Sequence, residues 1–587
     1  MKNYLLITIG HNSSAIFVDN TSSEQKIIGY EQERLSRIKA DSQFPIDAIN
    51  EIERNIGNKK MYGCRILVSH WFNTKWMDNP HVELANKYIS KTDLEKLNSY
   101  NPCEISFTSN KFSHHDAHAY SAHAFFKYHV SPDKLSSAPH HTLVVDGFGN
   151  DEEVLSLYVT TNKKEQPILI HRVYGYYYSL GLFYQYATSF VGMKQNQDEY
   201  KFLGYESHID EVLSTEQIDC LDHYVDEQVR YFTKNWMTKT APRELPNNDI
   251  IDRKCLSDVA EFWHSEFRNV CQSIGLNERT SFEARCAIAY FIQQTCEIAL
   301  SQFIHEFGVN NLSVAGGVFY NVKLNNKLLT EITGLFCAMP LAGDQGAAIG
   351  MYEAENKEYA PAFDFSTLAW GKRRLYDFKK FVRKGIYYED VTKDDTTTFE
   401  ALAFLVAKHI ANGAIVNLVF GNMEFGPRAL GNTSTLFLPT SENTAINNAM
   451  NKRNEVMPCA PICTEENARK LFDTTELDRV VGSDRFMICT HEYTQLRSQY
   501  YNGVMHKKPL DVSYTGRPQI VRKHTFIDLV LKFVQESTDT KCLVNTSFNA
   551  HGNPIVFDTK EILDNYNFQC EHAEKVKPIL YVINIHE

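Results

Sequence analysis

Short apolar runs alternate with polar turn segments and with helix-periodic stretches through roughly the first 355 residues. Residues 4–10, 15–18 and 143–145 are apolar and bounded by turn-forming residues, so they predict buried strands. Residues 282–304 repeat apolar positions with the period of a helix and lead into a double glycine. Because strands and helices alternate in this way, the pattern predicts an α/β architecture.

A second unit follows a polar segment. Residues 354–361 are polar and end in proline, which indicates a domain boundary. Beyond it, residues 398–411 predict a helix and residues 414–420 a buried strand that enters a glycine loop. A chain of 587 residues is too long for one core, so we expect two domains, 1–360 and 361–587.

Composition narrows the class of protein. Hydrophobic residues at 43% and charged residues at 22% are ordinary for a soluble globular protein. The net charge of −12 does not indicate general polyanion binding, although a local basic patch is still allowed. The thirteen cysteines contain no C-x-x-C pair, which favours reduced thiols in a cytoplasm. The apolar run after Lys2 breaks at Gly10, so we expect neither a signal peptide nor a membrane span. We therefore expect a cytoplasmic protein, in the host cytoplasm if the source is a phage.

The most informative stretch contains His114 and His118. Alanines and aromatic residues around them favour a packed helix, and a spacing of four places both imidazoles on one face, within reach of a single metal ion. The alternative is a pair of ordinary helix histidines, since a short motif of this kind carries a real false-positive risk.

Other motifs accompany the histidines in a fixed order. They are the segments 30–39, 146–149, 199–204, 314–321, 342–348, 421–432 and 545–549. Together they resemble the carbamoyltransferase family that includes the nodulation and antibiotic O-carbamoyltransferases, and the resemblance runs from about residue 4 to about residue 560. The resemblance implies an actin-like (ASKHA, Kae1-like) two-lobed N-terminal domain followed by a YrdC-like α/β C-terminal domain.

The resemblance also implies a metal centre in the N-terminal domain. Asp146 and Asp344 follow predicted strand ends, where ligands gather in α/β folds. With His114 and His118 they would hold Fe2+ or another divalent metal. For either aspartate alone, the competing interpretation is a turn or a helix cap.

Nucleotide contacts are expected in the same domain. Gly316 and Gly317, followed by Asn321, would let a phosphate approach a helix start, and the resemblance adds Gly147 and Lys201. Two further residues match family positions with catalytic roles. Lys39 would hold a phosphate as a point charge, or else is a solvated surface lysine. His11 is a candidate general base, followed here by Asn12 where the family usually has aspartate.

The C-terminal domain would bind the donor. Arg428 and Arg517 match catalytic family arginines suited to phosphate, whereas Ser547 and Asn549 match a pair that contacts the donor. The alternatives are arginines that pair with carboxylates and a Ser-x-Asn turn.

Three basic family positions are neutral in this chain. In an ungapped alignment the family's lysine falls on Asn451, and two of its arginines fall on Met457 and Thr433. We expect Arg453, or Lys452, to compensate if the loop shifts; without compensation, donor binding would be weak and Asn451→Lys should improve it.

The reaction implied by the resemblance is O-carbamoylation. Carbamoyl phosphate and ATP, as its Mg2+ complex, would give carbamoyl adenylate and pyrophosphate in the C-terminal domain. The carbamoyl group would then pass to an acceptor hydroxyl in the N-terminal domain.

The acceptor is left open. It is a small-molecule hydroxyl of a sugar or natural product, or a hydroxymethylated base in a nucleotide or in DNA. No membrane partner is expected, and a homodimer is allowed. The alternative of another class is a non-catalytic nucleotide-binding regulator on the same folds.

Overall fold

The computed structural model describes residues 2–21, 24–72, 89–101, 105–109, 111–134, 138–161, 164–238, 240–242, 251–356, 362–375, 383–453, 459–494 and 501–586. Within these residues no helix is both long enough and apolar enough to cross a membrane.

The first lobe, lobe I, is built on a five-stranded sheet of order β3-β2-β1-β4-β5. Strands β1 and β2 pair antiparallel, as do β2 and β3, whereas β1, β4 and β5 run parallel. The strands are β1 (Tyr4–Thr8), β2 (Ser14–Asp19), β3 (Lys26–Glu31), β4 (Arg65–Ser69) and β5 (Ile105–Phe107).

The second lobe, lobe II, repeats this arrangement. Its sheet has the order β8-β7-β6-β9-β10, again with three antiparallel strands followed by two parallel ones. The strands are β6 (His140–Val145), β7 (Glu153–Thr161), β8 (Lys164–Tyr174), β9 (Asn311–Ala315) and β10 (Phe336–Ala338). Two sheets of the same topology in one N-terminal unit are the duplicated architecture of actin-like proteins, so the expected two-lobed α/β fold is confirmed.

Helices cover both lobes, and most of the described ones bury one apolar face against a sheet. In lobe I and its border they are α1 (Gln32–Ser36), α2 (Ile46–Ile56), α3 (Asn58–Met61), α4 (Lys91–Tyr100) and α5 (His114–His129). In lobe II they are α6 (Leu180–Phe190), α7 (Glu199–Phe202), α8 (Ile209–Val212), α9 (Thr215–Met237), α10 (Arg253–Ser273), α11 (Phe282–Glu306) and α12 (Val322–Glu331). Helix α13 (Ala347–Glu355) follows β10 in the chain but packs against α5 and against the sheet of lobe I.

The C-terminal unit is a seven-stranded mixed sheet of order β11-β20-β12-β13-β19-β14-β18 with a small three-stranded sheet beside it. This α/β unit agrees with the C-terminal domain that the resemblance implies. Its strands are β11 (Ile386–Thr392), β12 (Val416–Phe420), β13 (Thr433–Phe437), β14 (Ala460–Thr464), β15 (His491–Glu492), β16 (His506–Lys507), β17 (Tyr514–Gly516), β18 (Gln519–Val521), β19 (Leu543–Ser547) and β20 (Ile579–His586). Its helices are α14 (Thr396–Ala411), α15 (Ser441–Met450), α16 (Glu465–Leu471), α17 (Thr474–Leu477), α18 (Phe526–Thr538) and α19 (Thr559–His572).

The predicted elements occur within a few residues of their expected ends. The helices expected at 282–304 and 398–411 are α11 and α14, and the strand expected at 414–420 is β12. The strand expected at 4–10 ends earlier, at Thr8, because Gly10 and Ser13 form a local turn.

The predicted boundary at residue 360 lies outside the described residues. Directly after it, residues 362–371 pack on lobe I: Phe363, Phe365 and Trp370 join a buried cluster that also contains Leu6. The C-terminal Phe425 belongs to the same cluster. The two units are therefore interlocked by apolar contacts on this side.

Candidate functional site

Helix α5 determines the relative position of His114 and His118. Ser113 caps the helix: its Oγ accepts the amide of Asp116 at 3.2 Å, and Asp116 Oδ2 accepts the Ser113 amide at 2.7 Å. The helix therefore begins at His114 and places His118 one turn later on the same face. The two Nε2 atoms lie 3.1 Å apart in a fully buried position.

Two carboxylates complete this cluster. Asp146 follows β6 and Asp344 follows β10, so both come from lobe II, close to α5. His114 Nε2 lies 3.4 Å from Asp146 Oδ2 and 3.3 Å from Asp344 Oδ1, and His118 Nε2 lies 3.5 Å from Asp146 Oδ2. The four ligand atoms all fall within 4.8 Å of one another, and all four residues are buried.

Each carboxylate uses its second oxygen on the backbone. Asp146 Oδ1 accepts the amides of Gly147 at 2.8 Å and Gly317 at 3.2 Å. Asp344 Oδ2 accepts the amide of His11 at 3.0 Å. Asp146 therefore has both roles that the sequence offered as alternatives. Its Oδ1 stabilises the turn, and its Oδ2 faces the two histidines.

The charge balance of this cluster suits a cation. Burial acts to lower the pKa of His114, but Asp146 and Asp344 outweigh it and raise that pKa to about 10. Burial and the neighbouring His114 lower the pKa of His118. Although burial opposes it, the two imidazoles hold the pKa of Asp146 well below its usual range. Two imidazole nitrogens and two carboxylate oxygens in a water-poor position fit the donor set of a divalent transition metal.

One cavity of about 740 Å3 runs from this cluster to the C-terminal domain. It is lined by Asp146 and Asp344 and also by Arg428, Arg453 and Arg517. Of the other predicted residues, the cavity is lined by His11, Lys39, Gly147, Gly317, Asn321, Ser547 and Asn549, whereas Gly316 and Lys201 are not among the lining residues. The structure therefore brings residues of both predicted sets to a single space, although His114 and His118 do not themselves line it.

The three arginines carry positive charge without a carboxylate partner among the described residues. Arg453 donates to Thr546 Oγ1 at 2.8 Å and to the Ser547 carbonyl at 3.2 Å. The buried Nε of Arg428 has no hydrogen-bond partner in the part of the chain that the structure describes. Burial lowers the pKa of each of the three guanidinium groups, and Arg428 lowers that of Arg517 further. Clustered cations of this kind attract phosphate groups.

The backbone conformation of the predicted turn requires glycine at position 316. Gly316 has φ of +100°, and a Cβ there would lie 2.2 Å from the Val145 carbonyl oxygen. Asn321 caps α12: its Oδ1 accepts the Leu324 amide at 3.0 Å, and its Nδ2 donates to Gln293 at 2.6 Å. Gly317 and Asn321 still border the cavity.

Ser547 and Asn549 form the turn that was the competing interpretation. The Ser547 hydroxyl donates to Asn549 Oδ1 at 2.6 Å, and Asn549 Nδ2 donates to the Asn553 carbonyl at 2.6 Å. Both residues nevertheless line the cavity.

Two further cavity residues, Tyr200 of the 199–204 motif and His551, contact the predicted lysines Lys39 and Lys201. Sequence reasoning gave no role to Tyr200 and did not single out His551. Lys39 Nζ donates to the Tyr200 hydroxyl at 3.4 Å. Lys201 pairs with Asp198 at 2.6 Å and donates to His551 Nε2 at 3.3 Å. Burial and the nearby Lys201 lower the pKa of His551, which favours its neutral form. The only sequence signal for His551 is its position two residues after Asn549.

The structure places Asn451 away from the donor. Its side chain is buried between Asn447 and Gln569, with hydrogen bonds of 2.9–3.1 Å, and does not line the cavity. We therefore expect no gain in donor affinity from Asn451→Lys, which is the outcome expected if Arg453 compensates.

The neighbours of Asn451 behave differently. Lys452 lies over the Phe568 ring, whereas Arg453 reaches the cavity. At the third neutral position, the Thr433 hydroxyl donates to Glu424 at 2.6 Å and accepts from the guanidinium of Arg373. Met457 lies outside the described residues.

Comparison with known proteins identifies the family of this chain. Residues 5–352 match the family model "Carbamoyltransferase N-terminus" and residues 407–573 match "Carbamoyltransferase C-terminus". The nodulation protein NolNO of Sinorhizobium fredii is 26% identical over 94% of this chain and 75% of that protein. Nodulation protein NolO of Bradyrhizobium diazoefficiens is 30% identical, but over 44% of this chain and 47% of its own length. The uncharacterized protein MJ1051 of Methanocaldococcus jannaschii is 25% identical over 95% of both chains.

Solved structures match only loosely. Full-length HypF in its phosphate- and nucleotide-bound form is 14% identical, with a TM-score of 0.29 over 61% of this chain and 46% of that one. Sua5 from P. abyssi is 10% identical, with a TM-score of 0.23 over 34% of this chain and 49% of that one. The two family models together span most of the sequence, and the chain belongs to the carbamoyltransferase family of enzymes.

Proposed function

We propose that this protein is an ATP-dependent O-carbamoyltransferase that moves a carbamoyl group from carbamoyl phosphate, through carbamoyl adenylate, to an acceptor hydroxyl. The observation that carries the proposal is the single cavity bordered both by the Asp146 and Asp344 carboxylates and by three arginines without carboxylate partners among the described residues. Two consecutive reactions with a water-labile intermediate require such contiguous sites.

The arginine side of the cavity supports the first reaction. Water releases phosphate from carbamoyl phosphate and leaves carbamate. A carbamate oxygen then bonds to the α-phosphorus of ATP, and pyrophosphate leaves. Every species in this sequence is anionic, and Arg428, Arg453 and Arg517 offer the cationic donors that would hold them.

The cluster of His114, His118, Asp146 and Asp344 would hold a divalent metal such as Fe2+. When bound, such a metal acts as a Lewis acid toward an oxygen of the substrate. The protein's own part is positional, since Asp146 ties this cluster to the Gly317 turn and Asp344 ties it to His11.

His11 is the general base in this proposal. Its ring is exposed to the cavity, while its backbone amide is fixed on Asp344. An imidazole nitrogen takes the proton of the acceptor hydroxyl as the hydroxyl oxygen bonds to the carbamoyl carbon. The bond from that carbon to the adenylate oxygen breaks, and AMP leaves.

The proposal keeps both acceptor classes from the sequence analysis. The acceptor is a hydroxyl of a sugar or natural product, or a hydroxyl of a hydroxymethylated nucleobase in a nucleotide or in DNA. The neutral residue Asn451, which would favour the regulator alternative if it faced the donor, gives it no support, because its side chain is buried and does not line the cavity.

The experiment is to incubate the purified protein with ATP and carbamoyl phosphate and to follow pyrophosphate. Release that depends on both compounds supports the proposal. Panels of hydroxylated sugars and of hydroxymethylated nucleosides, analysed by mass spectrometry for the carbamoyl increment, then identify the acceptor. Nucleotide binding without pyrophosphate release would favour the regulator.

A further inference from the structure

The loop that carries Arg428 packs against lobe I as well as against its own domain, where Asn545 and Gln519 bind its last two carbonyls. We call residues 423–430 the Arg428 loop. Its Phe425 lies in the buried cluster of lobe I, with its ring 5.1 Å from that of Trp370, and Met423 lies in a second buried cluster of that lobe. The amides of Leu430, Asn432 and Thr433 donate to Glu424 Oε1 at 2.7–2.9 Å, so the chain folds back on the start of the loop.

Two charged side chains of lobe I hold the centre of this loop. Glu31 Oε2 accepts the Gly426 amide at 3.1 Å, and Arg34 Nη2 donates to the Gly426 carbonyl at 2.6 Å. Gly426 has φ of +102°, and a Cβ there would lie 2.7 Å from Leu341 Cδ2. Both backbone polar groups of Gly426 are therefore bound from another domain, two residues before Arg428, in a conformation that favours glycine.

Glu31 and Arg34, the two side chains that bind Gly426, are themselves held in place by ion pairs. Arg34 pairs with Glu31 at 2.9 Å and with Glu33 at 2.8 Å, and the side chains of Arg34 and Glu31 are each only 2% exposed. The Nη atoms of this buried guanidinium are held by two carboxylates and by the Gly426 carbonyl, which restricts the orientation of the side chain. The position of Gly426 is therefore set by residues about 390 positions earlier in the chain.

A third residue of the same segment holds the other donor loop. Arg37 follows α1 and donates to the carbonyls of Ile555 and Pro554, each at 2.9 Å, and pairs with Glu561 at 3.1 Å. Residues 547–555 carry Ser547, Asn549 and His551, so one short segment of lobe I holds both loops that border the donor side of the cavity.

We propose that Glu31, Arg34 and Arg37 are positioning residues for the donor half-reaction: an N-terminal segment aligns the C-terminal carbamoyl phosphate and ATP site. The inference rests on the proposed function for the identity of the substrates. It predicts that the first half-reaction depends on lobe I, although its phosphate-binding side chains belong to the C-terminal domain. Misplacing such side chains by about an ångström costs on the order of a hundredfold in rate.

The test compares full-length Arg34→Lys and Arg37→Ala with wild type. As a matched control, Arg65→Gln removes an arginine of lobe I whose ion pair with Glu355 lies away from the cavity. Pyrophosphate exchange into ATP gives kcat and KM for carbamoyl phosphate, and calorimetry measures the affinity for pyrophosphate alone. We expect the KM of both variants to rise about tenfold or more, with a matching loss of pyrophosphate affinity, while the control keeps wild-type values.

Folding is checked by circular dichroism and melting temperature. If Arg34→Lys does not fold, Arg37→Ala decides, because the Arg37 side chain is 29% exposed and is easier to remove. Wild-type KM and wild-type pyrophosphate affinity in a folded Arg37→Ala protein would overturn the inference. If wild type shows no exchange, the proposed function fails instead, and the pyrophosphate affinities still decide the positioning role.

Discussion

The backbone amide of His11 donates to Oδ2 of Asp344 at 3.0 Å, although 333 positions separate the two residues. The contact joins the loop after β1 in lobe I to a carboxylate of lobe II, and the other oxygen of that carboxylate faces His114 at 3.3 Å. The candidate base and the candidate metal cluster are thus held together by one hydrogen bond, which fixes the distance between them across the two lobes.

The histidine pair should be required for metal and for transfer. His118→Ala removes one of two imidazoles from the four-residue cluster, so we expect loss of bound metal and of acceptor carbamoylation. His223→Ala is the matched control, since that imidazole is exposed and far from the cavity. Elemental analysis and acceptor mass spectrometry measure the two effects. Full activity in a metal-stripped His114→Ala/His118→Ala protein would contradict the claim that transfer requires a metal at this cluster.

The two half-reactions should separate by mutation. Arg517→Ala removes a half-buried guanidinium that lines the donor side of the cavity, so we expect it to impair pyrophosphate exchange. Each lost charge-assisted hydrogen bond is worth about 1.5–3 kcal/mol. Asp344→Ala should spare exchange and block transfer, because Asp344 belongs to the metal cluster. Equal loss of exchange in both variants would argue against two sites.

Arg453, not position 451, should govern donor affinity. Arg453→Ala should raise the apparent Kd for carbamoyl phosphate by about tenfold, since it removes a charge-assisted contact. Asn451→Lys should not tighten donor binding. It should instead lower the free energy of unfolding by about 2 kcal/mol or more, because it buries a charge in an amide network. Donor titration and denaturant unfolding measure both. Wild-type affinity in Arg453→Ala would refute the compensation.

Stability should fall at alkaline pH through His491. Burial acts to lower its pKa, but Asp484 at 2.7 Å and Glu476 at 3.2 Å outweigh it and raise the pKa to about 9. Because the pKa of His491 is higher in the folded protein than in the unfolded one, where it is about 6.5, protonation of His491 stabilises the folded protein. This stabilisation is complete below about pH 6.5 and is lost as the pH rises toward 9. We expect the melting temperature to fall between pH 7 and about 9.5 in wild type and to change less in His491→Gln. Equal pH dependence in the two proteins would contradict this assignment.

Local patterns predicted those parts of the site that local geometry controls. The spacing of His114 and His118 sets one helix face, and Asp146 lies at a strand end, so their approach follows from the fold class. The orientation of Asn451 could not be read in this way, since it depends on how the end of α15 packs against Gln569, 118 positions away. The hydrogen bond from Arg34 to the Gly426 carbonyl could not be predicted either, because every residue has a backbone carbonyl and the sequence does not show which one Arg34 binds.

The most direct test of the account is the stoichiometry of a single incubation with ATP, carbamoyl phosphate and an accepted hydroxyl compound. If one cavity joins the two reactions, pyrophosphate, AMP and carbamoylated acceptor should form in equal amounts, and removing the acceptor should not abolish pyrophosphate exchange. Carbamoylation that proceeds without ATP, or without pyrophosphate release, would contradict the adenylate route and with it the joined site.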